Sequence, residues 1–330
     1  MKHRVLEYKH ALKLSGSGGL RSAEDRVAGP LTVAIMLVWH VAVMFLGIGA
    51  TEALAKGPIR VVASINDLAS IAAEVGGGQV EVQAVARPNT DVHRVEVLPS
   101  YMVRVSRADL YLMVGLGLDG WADQIIDGSR NNHLVILDCG RGITPLDRPT
   151  GKVDASMGDV HPDGNPHYWL DPRNGAIVAG EIAEALGRLD PANSERYRQR
   201  AAELQRKAEA LLAEKKTSVA AMPVRVIFTY HSSWVYLGAA FGLEIAASVE
   251  PVPGIPPTAG HLQKLIGIAK ERNVSVLLQE PYFSDEAGSF LAREAGVRVV
   301  KASASCDEPA AGSWLQHIGS VLERILAAEN

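Results

Sequence analysis

The feature that most constrains the fold is the alternation of short apolar segments with stretches of helical periodicity. We predict strands at residues 58–65, 80–85, 109–114, 133–138, 224–230, 243–249, 274–279 and 297–301. Helices are predicted at 67–75, 99–107, 118–126, 173–189, 258–271, 285–295 and 314–328. Short apolar strands separated by helices are typical of parallel sheets covered on both faces. The fold class is therefore α/β, with two lobes that each hold a roughly four-stranded parallel sheet and flanking helices.

One long helical segment separates the two groups of strands. The run from Ala192 to Ala221 is rich in Ala, Glu, Gln, Arg, Lys and Leu and contains no Gly or Pro. A rigid helix of that length would reach ~45 Å, enough to join two lobes. A chain of 330 residues is expected to form about two domains. We therefore predict an N-terminal lobe at 56–191, a connecting helix at 192–222 and a C-terminal lobe at 223–330.

Residues 1–55 are set apart from the fold as a leader. An apolar run from Leu31 to Ala50 is preceded by Arg21 and Arg26 and followed by the small-residue motif at 53–55. This order is typical of a secretory signal peptide, with cleavage after Ala55. The alternative is an uncleaved membrane anchor, because ~20 apolar residues can just span a bilayer. We expect a secreted protein, and the anchor remains the second interpretation.

Composition excludes several classes of function. The net charge of -4 and the absence of a basic stripe with interleaved aromatics argue against nucleic-acid binding. The two cysteines, Cys139 and Cys306, are too few for a disulfide scaffold or a cysteine-rich zinc module. Their spacing leaves open whether they pair with each other.

Three histidines stand where predicted strands give way to loops or helices. His167 lies in the Pro-flanked segment 165–172, His93 follows the second strand, and His231 follows the fifth. Proline fixes the backbone on both sides of the first of these, so its imidazole is held in place. Ligands of open parallel sheets bind beyond the carboxyl ends of the strands. If the two lobes face each other, these side chains converge in the crevice between them and form a metal site.

A carboxylate is expected to complete the site. Glu280 directly follows a predicted strand and is pinned by the next proline, so we take it as the fourth ligand, ahead of Asp307, Cys306 and water. Its alternative role is to hold His231 or a backbone amide in place without contacting the metal. Three imidazoles and one carboxylate suit Zn²⁺ better than Mn²⁺ or Mg²⁺. His161, in the Pro- and Gly-rich segment 143–165, is expected to be an exposed loop residue, with transient capture of metal as the alternative. Glu96 could orient the ring of the histidine three residues before it, or merely favour a helix N-terminus.

Sequence signatures of enzymes are missing. The chain contains no His-Glu-x-x-His, no Gly-x-Ser-x-Gly and no Gly-x-x-x-x-Gly-Lys motif. Four protein ligands would also leave zinc without the open position that hydrolysis needs. We therefore predict that the site holds a metal and catalyses no reaction.

These motifs resemble those of the zinc/manganese solute-binding proteins of ABC importers, from about Lys56 to the C-terminus. The matching segments are Asp91-Val-His93-Arg-Val-Glu96, similar to D-P-H-x-[YF]-E; Asn165-Pro-His167-Tyr-Trp-Leu-Asp171-Pro172, similar to H-x-W-[LM]-D-P; Tyr230-His231; and Glu280-Pro-Tyr-Phe283, similar to E-P-x-F. The resemblance implies two α/β lobes joined by a rigid helix, with metal bound between them. It also implies a periplasmic location and delivery of the metal to an ABC permease in the inner membrane, and we expect a monomer.

The sequence departs from the family pattern at several positions. Val92, Val95 and Val97 replace residues that are commonly Pro, aromatic and Pro around the first histidine. Manganese-binding members tend to carry a carboxylate where this chain has His231, so the resemblance implies zinc as cargo, with Mn²⁺ as the alternative. A stand-alone metal chaperone and a metal-dependent hydrolase are the competing interpretations from other classes.

Overall fold

The computed structural model describes residues 57–154 and 157–329. The predicted signal peptide and its alternative, a membrane anchor, both lie outside these residues. Within the described part of the chain, no helix is both long and apolar enough to cross a bilayer.

Two parallel sheets of four strands each form the framework, as predicted. The strands are β1 (Ile59–Ala63), β2 (Val80–Ala84), β3 (Leu110–Met113), β4 (Val135–Asp138), β5 (Val226–Thr229), β6 (Glu244–Ser248), β7 (Val276–Gln279) and β8 (Arg298–Lys301). Their orders are β2-β1-β3-β4 and β6-β5-β7-β8, so both sheets share one topology. In the first sheet Val61 lies opposite Val82 on one side and Leu110 on the other. Such β-branched and leucine pairs suit a sheet buried on both faces.

Helices flank both sheets. They are α1 (Asn66–Gly76), α2 (Pro99–Val105), α3 (Trp121–Ser129), α4 (Pro172–Leu189), α5 (Ser194–Ala220), α6 (Val235–Phe241), α7 (Ala259–Arg272), α8 (Asp285–Ala295) and α9 (Ser313–Glu329). The long helix α5 follows a 3₁₀ turn at Pro191–Asn193 and runs between the two sheets in sequence. The fold class predicted from the sequence is therefore confirmed.

Two helices differ from the sequence prediction. Helix α3 begins at Trp121 because the side chain of Asp119 accepts hydrogen bonds from the backbone of Val114 and Gly115, which holds the preceding residues in a turn. Helix α6 was missed altogether. Its short sequence contains Val235 and Gly238, which are weak helix formers, and burial of its apolar side chains favours the helix instead.

One apolar core cluster runs through both halves of the described chain, and two smaller clusters each lie within one half. The large cluster includes Val61 and Leu112 from the first sheet together with Ile227 and Val276 from the second. The two sheets are therefore held together by buried apolar surface as well as by the chain connection.

The segment 165–172 joins the halves by hydrogen bonds. Tyr168 donates from its hydroxyl to the carbonyl of Val114 in the first half, at 2.9 Å. Trp169 donates from its indole to the carbonyl of Ala304 in the second half, at 2.7 Å. Asp171 caps helix α4, because its carboxylate accepts from the backbone N–H of Arg173. His167 therefore stands on a segment fixed at both ends.

Candidate metal centre

His93 follows β2 and is held by a neighbour in its own segment. Its Nδ1 donates to Asp91 Oδ1 at 2.8 Å, and its backbone N–H donates to the same oxygen at 3.0 Å. The hydrogen bond and the charge of the ring lower the pKa of Asp91, outweighing the burial that raises it. Glu96 is exposed, so the expectation that it orients this ring is wrong. Asp91, two residues before His93, orients the ring instead.

His167 is held in the same local manner, although by an amide. Its Nδ1 donates to Asn165 Oδ1 at 3.0 Å, and Asn165 in turn donates to the carbonyl of Ser232 at 2.8 Å. The ring is 1% exposed. Burial, and to a lesser extent the neighbouring imidazoles of His93 and His231, lower the pKa of His167 well below its ordinary value. The ring is therefore neutral and available as a ligand at physiological pH.

His231 lies two residues beyond β5 and is held by a carboxylate from another segment. Its Nδ1 donates to Glu250 Oε2 at 2.6 Å. Burial lowers the pKa of His231, but the hydrogen bond to Glu250 and the charges of Glu280 and Glu250 outweigh burial and raise it overall. The carboxylate thus favours a ring with a proton on Nδ1, which leaves Nε2 to face the site.

The three histidine rings converge on one place. The ligand atoms of His93, His167 and His231 lie within 4.8 Å of one another. The ring centroids are 5.1, 5.2 and 5.6 Å apart. Each Nε2 is buried and has no hydrogen-bond partner. Because a buried polar atom without a partner is costly, three of them pointing at one place indicate a site built for a cation.

Glu280 directly follows β7, as the sequence indicated, and lies beside this cluster. It is completely buried; Oε1 accepts from Ser233 Oγ at 2.7 Å, and Oε2 has no partner. Burial raises the pKa of Glu280 to about 7, although the charge of His231 and the hydrogen bond from Ser233 lower it. Within the described residues, the group of ligand atoms that share the 4.8 Å spacing consists of the three histidines, so Glu280 stands outside it.

The other candidates for a fourth ligand lie elsewhere. Asp307 is exposed, and its Oδ1 accepts from Asn89 Nδ2 at 3.2 Å. Cys306 is buried beneath the loop after β8, where its thiol contacts the carbonyl of Glu308 at 3.4 Å. Cys139 and Cys306 are both free and buried.

His161 differs from the prediction of an exposed loop side chain. Its ring stacks on that of His93 with the centroids 5.4 Å apart, and its Nε2 is buried without a partner. Burial, and then the charge of His93, lower the pKa of His161 to about 4. The loop that carries it therefore covers the histidine cluster on one side.

A cleft of about 320 Å³ borders the cluster. His93 and His231 line it together with acidic and aromatic side chains, chiefly Glu250, Tyr282 and Phe283. A cleft of this size is large enough to admit a hydrated ion.

Two of the three side chains that accept from the imidazoles could have been found from the sequence, and the third could not. Asp91 and Asn165 each precede a histidine by two residues, a spacing at which a polar side chain can reach the following ring. Glu250 is separated from His231 by 19 residues and by a whole β/α unit, so no local signal connects them. Sequence analysis missed it.

Two α/β halves with a histidine cluster between their sheet ends define a metal-binding protein of the solute-binding class. A family described as "ZnuA: Zinc-uptake complex component A periplasmic" matches residues 61–328, so the chain belongs to this family of periplasmic metal-binding proteins of ABC importers. Members of the family are solute-binding proteins, and the prediction that the chain is not an enzyme is confirmed.

Individual relatives agree with this assignment. The chain is 26% identical to the iron-binding protein YfeA of Yersinia pestis, over 83% of this chain and 88% of that protein. It is 22% identical to the manganese ABC transporter substrate-binding lipoprotein PsaA of Streptococcus mitis, over 81% and 87% of the two chains. A crystal structure of ZnuA superimposes with a TM-score of 0.71 and 27% identity, covering 83% of this chain and all of that one.

Proposed function

We propose that this protein captures zinc outside the cytoplasm and delivers it to an ABC importer. The observation that carries the proposal is the convergence of three imidazoles whose ligand atoms lie within 4.8 Å of one another and whose Nε2 atoms are buried without a partner. Three nitrogen ligands in this arrangement occupy most of a tetrahedral zinc shell. His93, His167 and His231 are the proposed ligands.

Zinc is favoured over manganese by the chemistry of the ligands. Imidazole suits zinc, whereas oxygen-rich shells suit Mn²⁺. The names of the relatives include iron and manganese as well as zinc, so the cargo must be decided by measurement on this chain. Mn²⁺ is the second candidate.

Glu280 is the proposed fourth ligand. Its Oε2 is buried without a partner, and His231 is close enough to lower its pKa. A divalent cation at the cluster would favour the ionised carboxylate and draw this oxygen towards it. Asp307 is a poor alternative because its side chain is exposed and bound to Asn89.

The expected partner is an ABC permease in the inner membrane. This part of the proposal rests on the family, as does a periplasmic location, and the predicted signal peptide agrees with both. We propose that the mature protein begins at Lys56 and works as a monomer. A metal chaperone without a permease is the alternative, and adjacent permease and ATPase genes would decide against it.

Metal analysis tests the cargo directly. Protein purified from the periplasm of cells grown in ordinary medium should contain one zinc per chain. Chelator-treated protein titrated in separate experiments with Zn²⁺ and Mn²⁺ should bind zinc at least tenfold more tightly. If manganese binds more tightly, manganese and not zinc is the cargo. If neither metal binds, the proposed function is contradicted.

A further inference from the structure

The acceptors that hold the three rings differ in where they come from. Asp91 and Asn165 lie two residues before His93 and His167, so each of these hydrogen bonds depends only on the local conformation of its own segment. Glu250 reaches His231 from a separate turn, two residues beyond the end of β6. The position of the third ligand therefore depends on a contact between segments.

The turn at residues 250–256 holds Glu250 in place. The backbone N–H of Glu250 donates to the carbonyl of Tyr230 at 3.0 Å, which continues the pairing of β5 with β6. The backbone N–H of Gly254 donates to Glu250 Oε2 at 3.0 Å, the same oxygen that accepts from His231. Glu250 is 7% exposed, so this arrangement is largely closed to water.

A loop from the first half of the chain rests on this turn. In the loop at 157–161, the backbone N–H of Asp159 donates to the carbonyl of Pro253 at 2.8 Å. A Cβ added at Gly158 would lie 2.1 Å from that same carbonyl oxygen, and one added at Gly254 would lie 2.3 Å from Asp159 Oδ2. The loop and the turn thus fit together with no space for an additional methyl group at either glycine.

We propose that Glu250 is a positioning residue that sets metal affinity through His231, and that the contact between loop 157–161 and turn 250–256 holds it in position. The inference rests on the proposed function, since it takes His231 to be a metal ligand. A carboxylate that accepts from Nδ1 fixes the tautomer with Nε2 free and makes that nitrogen a stronger donor. Displacing the loop would release the turn, withdraw Glu250 from the ring and weaken the site.

The first experiment compares Glu250→Ala and Glu250→Gln, with Glu244→Gln as a control for the loss of a carboxylate in the same region. Zinc affinity is measured by competition with a chelator, using the whole mature chain. Glu250→Ala should weaken binding by roughly 10- to 100-fold. Glu250→Gln should lose less zinc affinity than Glu250→Ala, because an amide oxygen can still accept from the Nδ1 of His231, as Asn165 does for His167. Glu244→Gln should bind as the wild type does.

A spectroscopic measurement separates positioning from loss of fold. Nitrogen-15 NMR of the metal-free protein reports the tautomer of His231. The wild type and Glu250→Gln should show a protonated Nδ1, and Glu250→Ala a mixture of tautomers. A change in affinity of less than twofold for Glu250→Ala, with an unchanged tautomer, would overturn the proposal.

A double-mutant cycle tests the loop contact. Gly158→Ala should weaken zinc binding. Gly151→Ala, in the same segment 143–165 but outside loop 157–161, should not, since an added Cβ there meets nothing within 4 Å. If the loop acts through Glu250, Gly158→Ala should cause no further loss in the Glu250→Ala background. Fully additive losses would overturn the coupling. Failure of the wild type to bind zinc would instead contradict the proposed function.

Discussion

At the scale of single residues, the candidate site consists of three imidazoles, and the Nδ1 of each ring donates a hydrogen bond to a protein acceptor. The acceptors are Asp91, Asn165 and Glu250. The Nε2 atom of each ring is buried and has no hydrogen-bond partner. Hydrogen bonds within the protein thus align the three imidazoles proposed as metal ligands. Preorganisation of this kind reduces the cost of binding.

Removal of any one imidazole should weaken the site strongly. We expect His93→Ala, His167→Ala and His231→Ala each to reduce zinc affinity by roughly 100-fold or more, since each removes one of a few inner-shell bonds that share a binding free energy of roughly 10–16 kcal/mol. His133→Ala, an exchange at an exposed histidine, is the control. Titration calorimetry checks this, and unchanged affinity in all three variants would exclude the cluster as the binding site.

Glu280 should make the stability of the metal-free protein depend on pH. Burial raises its pKa from 4.5 to about 7, so the folded state holds the proton more tightly than the unfolded state. This contribution is fully present below pH 4.5 and is lost as pH rises through about 7. The unfolding free energy of the wild type minus that of Glu280→Gln should therefore fall by roughly 3 kcal/mol as the pH rises from 4.5 to about 7.

Denaturant titrations with a chelator present measure this difference at each pH. Glu244→Gln, an exchange of an exposed glutamate, controls for loss of a carboxylate. A difference between wild type and Glu280→Gln that stays constant from pH 4.5 to pH 7 would contradict the prediction.

At the scale of elements, the segment 165–172 and helix α4 are fixed against helix α9 by two tryptophans. Trp314 donates from its indole to the carbonyl of Trp169 at 2.8 Å, and Trp169 donates to Ala304. Trp314 also packs directly over Gly175 in α4. A glycine is required there because the indole occupies the place of a side chain.

Substitution of that glycine should therefore destabilise the fold. A Cβ at Gly175 would lie 2.1 Å from the Trp314 ring, so Gly175→Ala should cost about 1–3 kcal/mol. Gly180→Ala, in the same helix and with nothing within 4 Å, should instead be neutral or stabilise by about 0.5–1 kcal/mol. Thermal unfolding of the two variants checks the contrast, and equal melting temperatures would be inconsistent with it.

Most elements could be predicted because each carries its own periodicity and end signals. Asp171-Pro172 marks the start of α4, with His167 in the Pro-flanked segment before it, and the βα pattern places His93 and His231 beyond β2 and β5. Contacts between distant segments could not be predicted in this way. Glu250 at the third histidine and His161 stacked on the first depend on tertiary packing, which leaves no pattern in the local sequence.

At the scale of the whole molecule, two features oppose a large rotation of one half against the other. Helix α5 runs from Ser194 to Ala220 without Gly or Pro and has no soft point. The apolar core also continues from the first sheet into the second. Bending the molecule at its middle would expose part of that core.

Metal binding should accordingly change the overall dimensions very little. We expect small-angle scattering curves of the metal-free and zinc-loaded protein to superimpose, with any ordering confined to loops, chiefly 143–165. The same samples with a chelator added back provide the control. A clear fall in radius of gyration on addition of zinc would show that the halves close over the ion.

The continuous core also bears on how the protein melts. Because neither sheet can be exposed without breaking apolar contacts that it shares with the other, the two halves should lose their structure together, in one calorimetric transition. A ligand that binds only the folded state raises its melting temperature. Zinc should therefore shift the single endotherm as a whole, so that occupancy of one small cluster protects both halves of the chain from heat.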